Sequence, residues 1–204
     1  MLFDDTYHTI EKPSDGVFRD RGSKFLAFAY PVNNEADLKN NLTQLRSEHP
    51  KANHHCWAMR LTADRSIFRL NDDGEPSGTA GRPILNTLLS HNVTNLVVVV
   101  VRYFGGTLLG VPGLINAYKM ATEEALKQAV IIQKTVNDVY TIEFDYLQMN
   151  DVMRIIKEDG LTIIAQSFDN NCSIRVSIRK MQVNQTLAKL SKLAAVIAKY
   201  EYSL

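Results

Sequence analysis

The stretch Leu96–Gly106, LVVVVVRYFGG, decides the architecture of the first part of this chain. Leu96 to Val101 is apolar at every position, so the strand it predicts has both faces covered. Arg102, Tyr103 and Phe104 follow, then Gly105 and Gly106, so a buried strand runs out into a charged, glycine-rich loop. A second loop of the same kind, NDDGEPSGTAGRP (Asn71–Pro83), stands upstream. Turn residues this dense, with charges among them, build a shaped surface instead of a core. Loops held on a rigid scaffold are where function concentrates.

Working outward, Tyr7–Lys12 and Val17–Arg19 read as a hairpin around Pro13–Gly16, whose Ser-Asp-Gly is good turn chemistry. Lys24–Tyr30 is a strand rich in aromatics, ended by Pro31. Glu35–Glu48 is a helix with Leu38, Leu42 and Leu45 on one face. Cys56–Leu61 and Ser66–Leu70 are short strands. Arg82–Ser90 is a helix whose Pro83 sits where a missing N–H costs nothing. Leu114–Ala129 is a long helix. Hairpin strands mixed with strand–helix units predict an α+β domain with a mixed sheet over residues 1–130. Ile131–Asp138 reads as the connection.

The region 139–204 is clearer. Ile142, Phe144 and Tyr146 alternate with polar residues. Met149–Glu158 is helical, and Gly160 stops it. Leu161, Ile163 and Ala165 alternate again, as do Cys172, Ile174, Val176 and Ile178. Val183, Leu187, Leu190, Ala194 and Ile197 share a helix face, and Tyr200, Tyr202 and Leu204 mark a last strand. The order is βαββαβ, the ferredoxin-like split unit.

The 204 residues are 45% hydrophobic and 22% charged, an ordinary globular composition. Lys plus Arg is 23 against 22 for Asp plus Glu. That balance argues against a non-specific nucleic-acid binder, which shows a basic excess. Two cysteines, Cys56 and Cys172, fall in different predicted domains, so no disulfide framework is expected. No signal peptide is visible, and no apolar run approaches the length of a membrane span. The expectation is a cytoplasmic protein without membrane contact.

Three sets of residues carry candidate chemistry. Asp72, Asp73 and Glu75 are three carboxylates within four residues, a weak candidate for a hard cation, although Asp-Asp-Gly is also an ordinary turn and the EF-hand pattern fails. Gly78, Thr79, Gly81 and Arg82 precede a helix, where free backbone N–H groups and the helix dipole favour an anion. The alternative is that Thr79 or Gly81 only caps the helix. Arg102 leaves a buried strand, so it is either a phosphate ligand or the partner of a carboxylate in the Asp72–Glu75 loop. The loop after it is no P-loop, because Val111 and Pro112 stand where Lys and Ser or Thr are required, and its glycines do not fit the dinucleotide fingerprint. His54, His55, Cys56 and Trp57 form one His/Cys cluster. Alternation puts His54 and Cys56 on one strand face, and no second cluster completes a zinc site. There Cys56 reads as core and one histidine as bonded to a loop. In the second domain Glu143, Asp145, Ser173, Arg175, Ser177, Arg179, Lys199 and Glu201 read as a solvated sheet face. It lacks the aromatics on which an RNA-recognition sheet stacks bases.

The two loops also carry a family resemblance. NDDGEPSGTAGRPIL (Asn71–Leu85), VVVRYFGGTLLG (Val99–Gly110) and GLINAY (Gly113–Tyr118), with GSKFLAF (Gly22–Phe28) and ANHHCWA (Ala52–Ala58), resemble the IMPACT/YigZ family. Pro112 departs from the pattern, which has glycine there, and stiffens the loop. The resemblance implies an N-terminal domain similar to the second domain of a small-subunit ribosomal protein and a C-terminal domain similar to domain V of elongation factor G. Eukaryotic relatives regulate translation by binding a partner of an initiation-factor kinase. The implied function is a non-enzymatic, translation-associated regulator that binds RNA, the ribosome or a ribosome-associated protein, with no cofactor. Its contacts are expected from Lys24, His54, Gly78, Thr79, Gly81, Arg82, Arg102, Tyr103, Gly105 and Gly106. The rival readings are a metal-dependent hydrolase using Asp72, Asp73 or Glu75, and a protein-interaction module.

Overall fold

In a computed structural model, which describes residues 5–168 and 172–204, the apolar stretch quoted above is the central strand of a five-stranded sheet. The first elements are β1 (Thr6–Ile10), β2 (Ser14–Asp20), β3 (Ser23–Pro31), α1 (Glu35–Glu48), β4 (His54–Leu61), β5 (Ile67–Asn71), α2 (Gly81–Ser90), β6 (Leu96–Tyr103), α3 (Gly110–Gln128) and β7 (Ile131–Thr135). Then come β8 (Asn137–Phe144), α4 (Met149–Glu158), β9 (Thr162–Phe168), β10 (Cys172–Arg179), α5 (Val183–Leu190) and β11 (Val196–Ser203). The chain divides into two units, one of Tyr7–Lys134 and one of Thr135–Leu204 with Asp5 and Thr6.

In the first unit the strand order is β2-β3-β6-β4-β5. Strand β6 is covered on both faces, as its sequence requires. Val98 and Val100 pack with Ile84, Leu85 and Leu88 of α2 and with Leu114, Ala117, Tyr118 and Ala121 of α3. Val97, Val99 and Val101 pack with Leu38 and Leu45 of α1. Burying a leucine as completely as Leu45 stabilises the fold by about 1.5–3 kcal/mol. Every neighbouring pair in this sheet is antiparallel, so it is not the mixed sheet expected. Strand β6 inserts between β3 and β4 and runs opposite to both.

The first hairpin also differs. Strand β2 pairs with β3, through a two-residue turn at Arg21 (φ 44) and Gly22 (φ 80). Both φ values are positive, the primed turn whose twist matches the strands it joins. The Ser-Asp-Gly read as a turn lies inside β2 instead. Gly16 serves close packing there: a Cβ on it would stand 2.3 Å from the Ala125 backbone nitrogen of α3. Residues 7–10 of the expected hairpin belong to β1, which pairs with β7. So Ile131–Thr135, expected as connection, is a strand.

The second unit runs β8-α4-β9-β10-α5-β11 in the chain, and β11-β8-β10-β9 across an antiparallel sheet. Ile142, Phe144, Cys172, Ile174, Val176 and Ile178 face Val152, Ile155 and Ile156 of α4 and Val183 and Leu190 of α5. Three details depart from expectation. Tyr146 stands in a short 3-10 turn and is exposed. Helix α5 ends at Leu190, so Ala194 and Ile197 lie beyond it. All of β9 is exposed, Ile163 and Ala165 included, and its pairing with β10 is irregular between Arg175 and Val176. Arg179 meets Asp5 through two nitrogens at 2.9 Å each, and Lys199 meets Glu143. Both cysteines are buried free thiols, and no helix among the described residues is long and apolar enough to cross a membrane.

Candidate functional site

Strand alternation sorts the site residues onto two faces. Phe25, Arg102 and His54 stand in cross-strand register on β3, β6 and β4, so their side chains share the face covered by α2 and α3. Lys24 pairs with Tyr103 on the α1 face. The Tyr103 hydroxyl stands 2.9 Å from His49 Nδ1 at the end of α1. The structure therefore does not bring Lys24 and Tyr103 together with His54 and Arg102.

The loop between β5 and α2 is organised by Asp72. Its carboxylate accepts from Gly78 N (2.9 Å), Ala80 N (3.1 Å) and Gly81 N (2.8 Å). Ala80 offers no capping side chain of its own, so Asp72 caps α2 from eight residues upstream. The anion held by these amides is the chain's own carboxylate. Thr79 Oγ1 donates to Pro76 O at 2.7 Å, a loop-closing bond. Asp73 turns the other way, accepting from His55 N at 2.6 Å and from Arg46 at 3.2 Å. Glu75 points a third way. Among the described residues, no three such side chains stand close enough to share a metal ion.

Glu75 is the centre of a buried network. Its Oε1 accepts from Arg102 Nη1 at 2.6 Å and from the Tyr118 hydroxyl of α3 at 2.7 Å. Arg102 is thus the partner of a carboxylate in the loop, one of its two expected roles. Both side chains are more than nine-tenths buried. Behind Tyr118 stands Cys56, whose Sγ lies 3.2 Å from the phenol oxygen and 3.0 Å from Asp72 O. Burial, with Cys56 and Glu75 beside it, pushes the Tyr118 phenol far up, and burial pushes the Cys56 thiol up. His54 Nδ1 lies 2.8 Å from Asp73 O. A carbonyl oxygen only accepts, so Nδ1 carries a hydrogen, and in the neutral ring Nε2 keeps its lone pair. That nitrogen is 3.9 Å from Glu75 Oε1.

These groups floor a cleft of about 440 Å³. Pro76, Phe104, Leu108, Leu109 and Val111 wall it, with Asn53, His54, Glu75 and Arg102 at its base. The Arg102 guanidinium lies against two rings, 5.3 Å from the Phe25 centroid and 5.6 Å from that of Phe104. Phe25 is fully buried; Phe104 is 45% exposed and Leu108 81% exposed, so the rim is apolar and open.

The remaining predicted residues lie apart from this cleft. Arg82 is exposed on the first turn of α2 and lines a separate groove of about 360 Å³ with Asn86, Ile115 and Lys119. Gly105 packs on the β2–β3 turn: a Cβ there would stand 1.9 Å from Gly22 C, and its N–H donates to Ser23 Oγ at 3.2 Å. Gly106 has a φ of +86. Pro112 falls in the first turn of α3, where its ring is tolerated. Sequence reasoning missed Tyr118, Phe25, Phe104 and Asn53. The signal for Tyr118 was available: a tyrosine on the apolar face of a helix needs a partner for its hydroxyl.

Residues 21–126 match the family model described as the Impact N-terminal domain. The chain is 33% identical over 171 residues to the IMPACT family member YigZ of Escherichia coli (strain K12), covering 83% of this chain and 84% of that protein. It is 26% identical over 179 residues to the IMPACT family member YvyE of Bacillus subtilis (strain 168), covering 88% and 82%. A solved structure described as the crystal structure of a hypothetical protein superposes with a TM-score of 0.73 at 30% identity, over 96% of this chain and 97% of that one.

Proposed function

The chain belongs to the IMPACT family, and on that premise we propose that it is a non-enzymatic regulator of translation that binds RNA on the ribosome. The observation that carries this reading is Phe104, a half-exposed ring at the mouth of the cleft, with the Arg102 guanidinium carbon 5.6 Å from its centroid. Unpaired bases are held by just this pairing of an aromatic face with a cation. A near-neutral chain, with formal charge +1, suits recognition of a few unstacked nucleotides better than coating of a duplex. Exposed Arg82 and Lys119, in the separate groove, supply phosphate contacts. The second unit fits the reading as a ferredoxin-like split βαββαβ similar to domain V of elongation factor G, and the first as a ribosomal-protein-like domain. The compartment this implies is the cytoplasm.

The test is sedimentation with ribosomes at two salt concentrations. Salt-sensitive co-migration, weakened by Phe104→Ala and by Arg82→Ala in proteins that remain folded, is the expected result. Migration only at the top of the gradient at the lower salt overturns the reading.

A further inference from the structure

The polar atoms at the base of the cleft form a specific pattern. Glu75 Oε1 is taken by Arg102 and Tyr118, but Oε2 takes no hydrogen bond among the described residues and is not sealed from solvent. Arg102 behaves likewise: Nη1 is spent on Glu75 and Nε is sealed without a partner, while Nη2 is unpaired and not sealed. In the neutral ring His54 Nε2 keeps a lone pair, because the single ring hydrogen is on Nδ1 and committed to Asp73 O. The base thus offers donors at Arg102 Nη2 and at Asn53 Nδ2, whose Oδ1 is taken by Phe104 N, and two acceptors, the Glu75 carboxylate and the Nε2 of a neutral His54. The carboxylate touches the guanidinium at 2.6 Å and comes within 3.9 Å of the imidazole. Above them the walls are apolar and end in the exposed Phe104 ring.

Along the line Arg102–Glu75–His54, a planar ring must present one acceptor and two donors on one edge. Guanine does so: O6 accepts, and N1–H and the N2 amine donate. Adenine offers a donor and an acceptor on that edge. Cytosine offers one donor and two acceptors. Uracil offers a donor flanked by two acceptors, which leaves His54 Nε2 facing an oxygen. A mispaired polar group in a buried site is costly, so edge complementarity selects strongly. The cleft volume of about 440 Å³ lies in the ordinary range for small ligands, about 300–1,000 Å³.

We infer that this cleft is a guanine pocket: Glu75, Arg102 and His54 read the donor–acceptor edge of a guanine base stacked on Phe104. This rests on the RNA reading above, where the base is an unstacked nucleotide of a single strand. The same chemistry would hold a free guanine nucleotide.

The experiment titrates the full chain with short oligouridylates carrying at one position guanosine, inosine, adenosine or uridine, and separately with guanosine and inosine monophosphates. The guanosine strand is expected to bind about tenfold or more tighter than the adenosine and uridine strands, with inosine, which lacks the N2 amine, in between. Glu75→Gln, which turns an acceptor into a donor, should abolish the preference. Should that buried change unfold the protein, His54→Ala on the more exposed ring should remove the preference of guanosine over inosine alone. Equal affinity for all four strands and both monophosphates overturns the pocket, and if the wild type still co-sediments with ribosomes, the RNA reading survives it. Preference for guanosine over inosine monophosphate without strand binding upholds the pocket and moves its source to the free nucleotide, at the expense of the RNA reading.

Discussion

Arg102 of β6 and Glu75 of the β5–α2 loop meet at 2.6 Å with both side chains almost fully buried, and the second glycine-rich loop emerges directly beyond this pair. Taking two charges out of water is expensive, and the expense is offset only when each finds partners. Glu75 has Tyr118 as a second donor, and Arg102 has two aromatic faces. The pair therefore fixes where the loop after β5 crosses the end of the sheet.

Removing one partner strands the other. Arg102→Ala should lower unfolding stability by about 3–5 kcal/mol, whereas the double change Arg102→Met with Glu75→Met should recover much of that loss. Urea denaturation of wild type, both single Met variants and the double variant measures the coupling. A simple sum of the single effects would contradict a buried pair.

Asp72→Ala leaves three backbone donors of one loop without their acceptor. The expected loss is about 2 kcal/mol or more, since helix caps alone reach that size. Asp72→Asn keeps one acceptor oxygen and should lose less. Hydrogen exchange at Gly78, Ala80 and Gly81 locates the effect, and protection unchanged in Asp72→Ala would refute it.

In the second unit the Arg179 guanidinium holds the Asp5 carboxyl below its usual range, assisted by the Met181 amide and opposed by burial. A depressed carboxylate stabilises the fold above its unfolded value, about 3.9, and that contribution fades as pH falls through the lower folded value. The stability of this unit should therefore drop as pH falls below about 4. Asp5→Asn should flatten that limb of a urea-midpoint profile. A limb of unchanged slope in the variant would assign the acid sensitivity elsewhere.

Burial pushes His55 below its ordinary range, opposed by Asp73, and its Nε2 has no partner. Unfolding frees the ring to protonate, so the first unit should lose stability as pH falls below about 6.5. His55→Gln removes this dependence while changing stability at neutral pH by a different route. NMR titration of the His55 ring checks the direction, and a folded value above that of a free histidine would overturn it.

Much of the fold was legible in the sequence because its signals are local. Helix α1 occupies the predicted span, Glu35–Glu48, since its leucines repeat at helical spacing and Asn34 caps it. The apolar run of β6 announced its two covered faces. The β1–β7 pair was not legible, because it joins strands more than a hundred residues apart and neither strand alternates strongly. Gly16 misled for a related reason: the approach of α3 explains it, and nothing near it in the chain shows that approach. In the site, period-two alternation correctly placed His54 with Cys56, and one histidine does bond to a loop. Which carboxylate would reach Arg102 was hidden. Asp72, Asp73 and Glu75 differ only in where the turn aims them, and that depends on the amides of Gly78 to Gly81.

The Asp5–Arg179 contact has a consequence for the order of synthesis. The two partners are separated by 174 positions, so the carboxylate leaves the exit tunnel long before its guanidinium is made. At about 5–20 residues per second, it waits about 9–35 s, while Tyr7–Lys134 can already fold. The Asp5 carboxylate must stay available through that interval, and the second unit closes over it last.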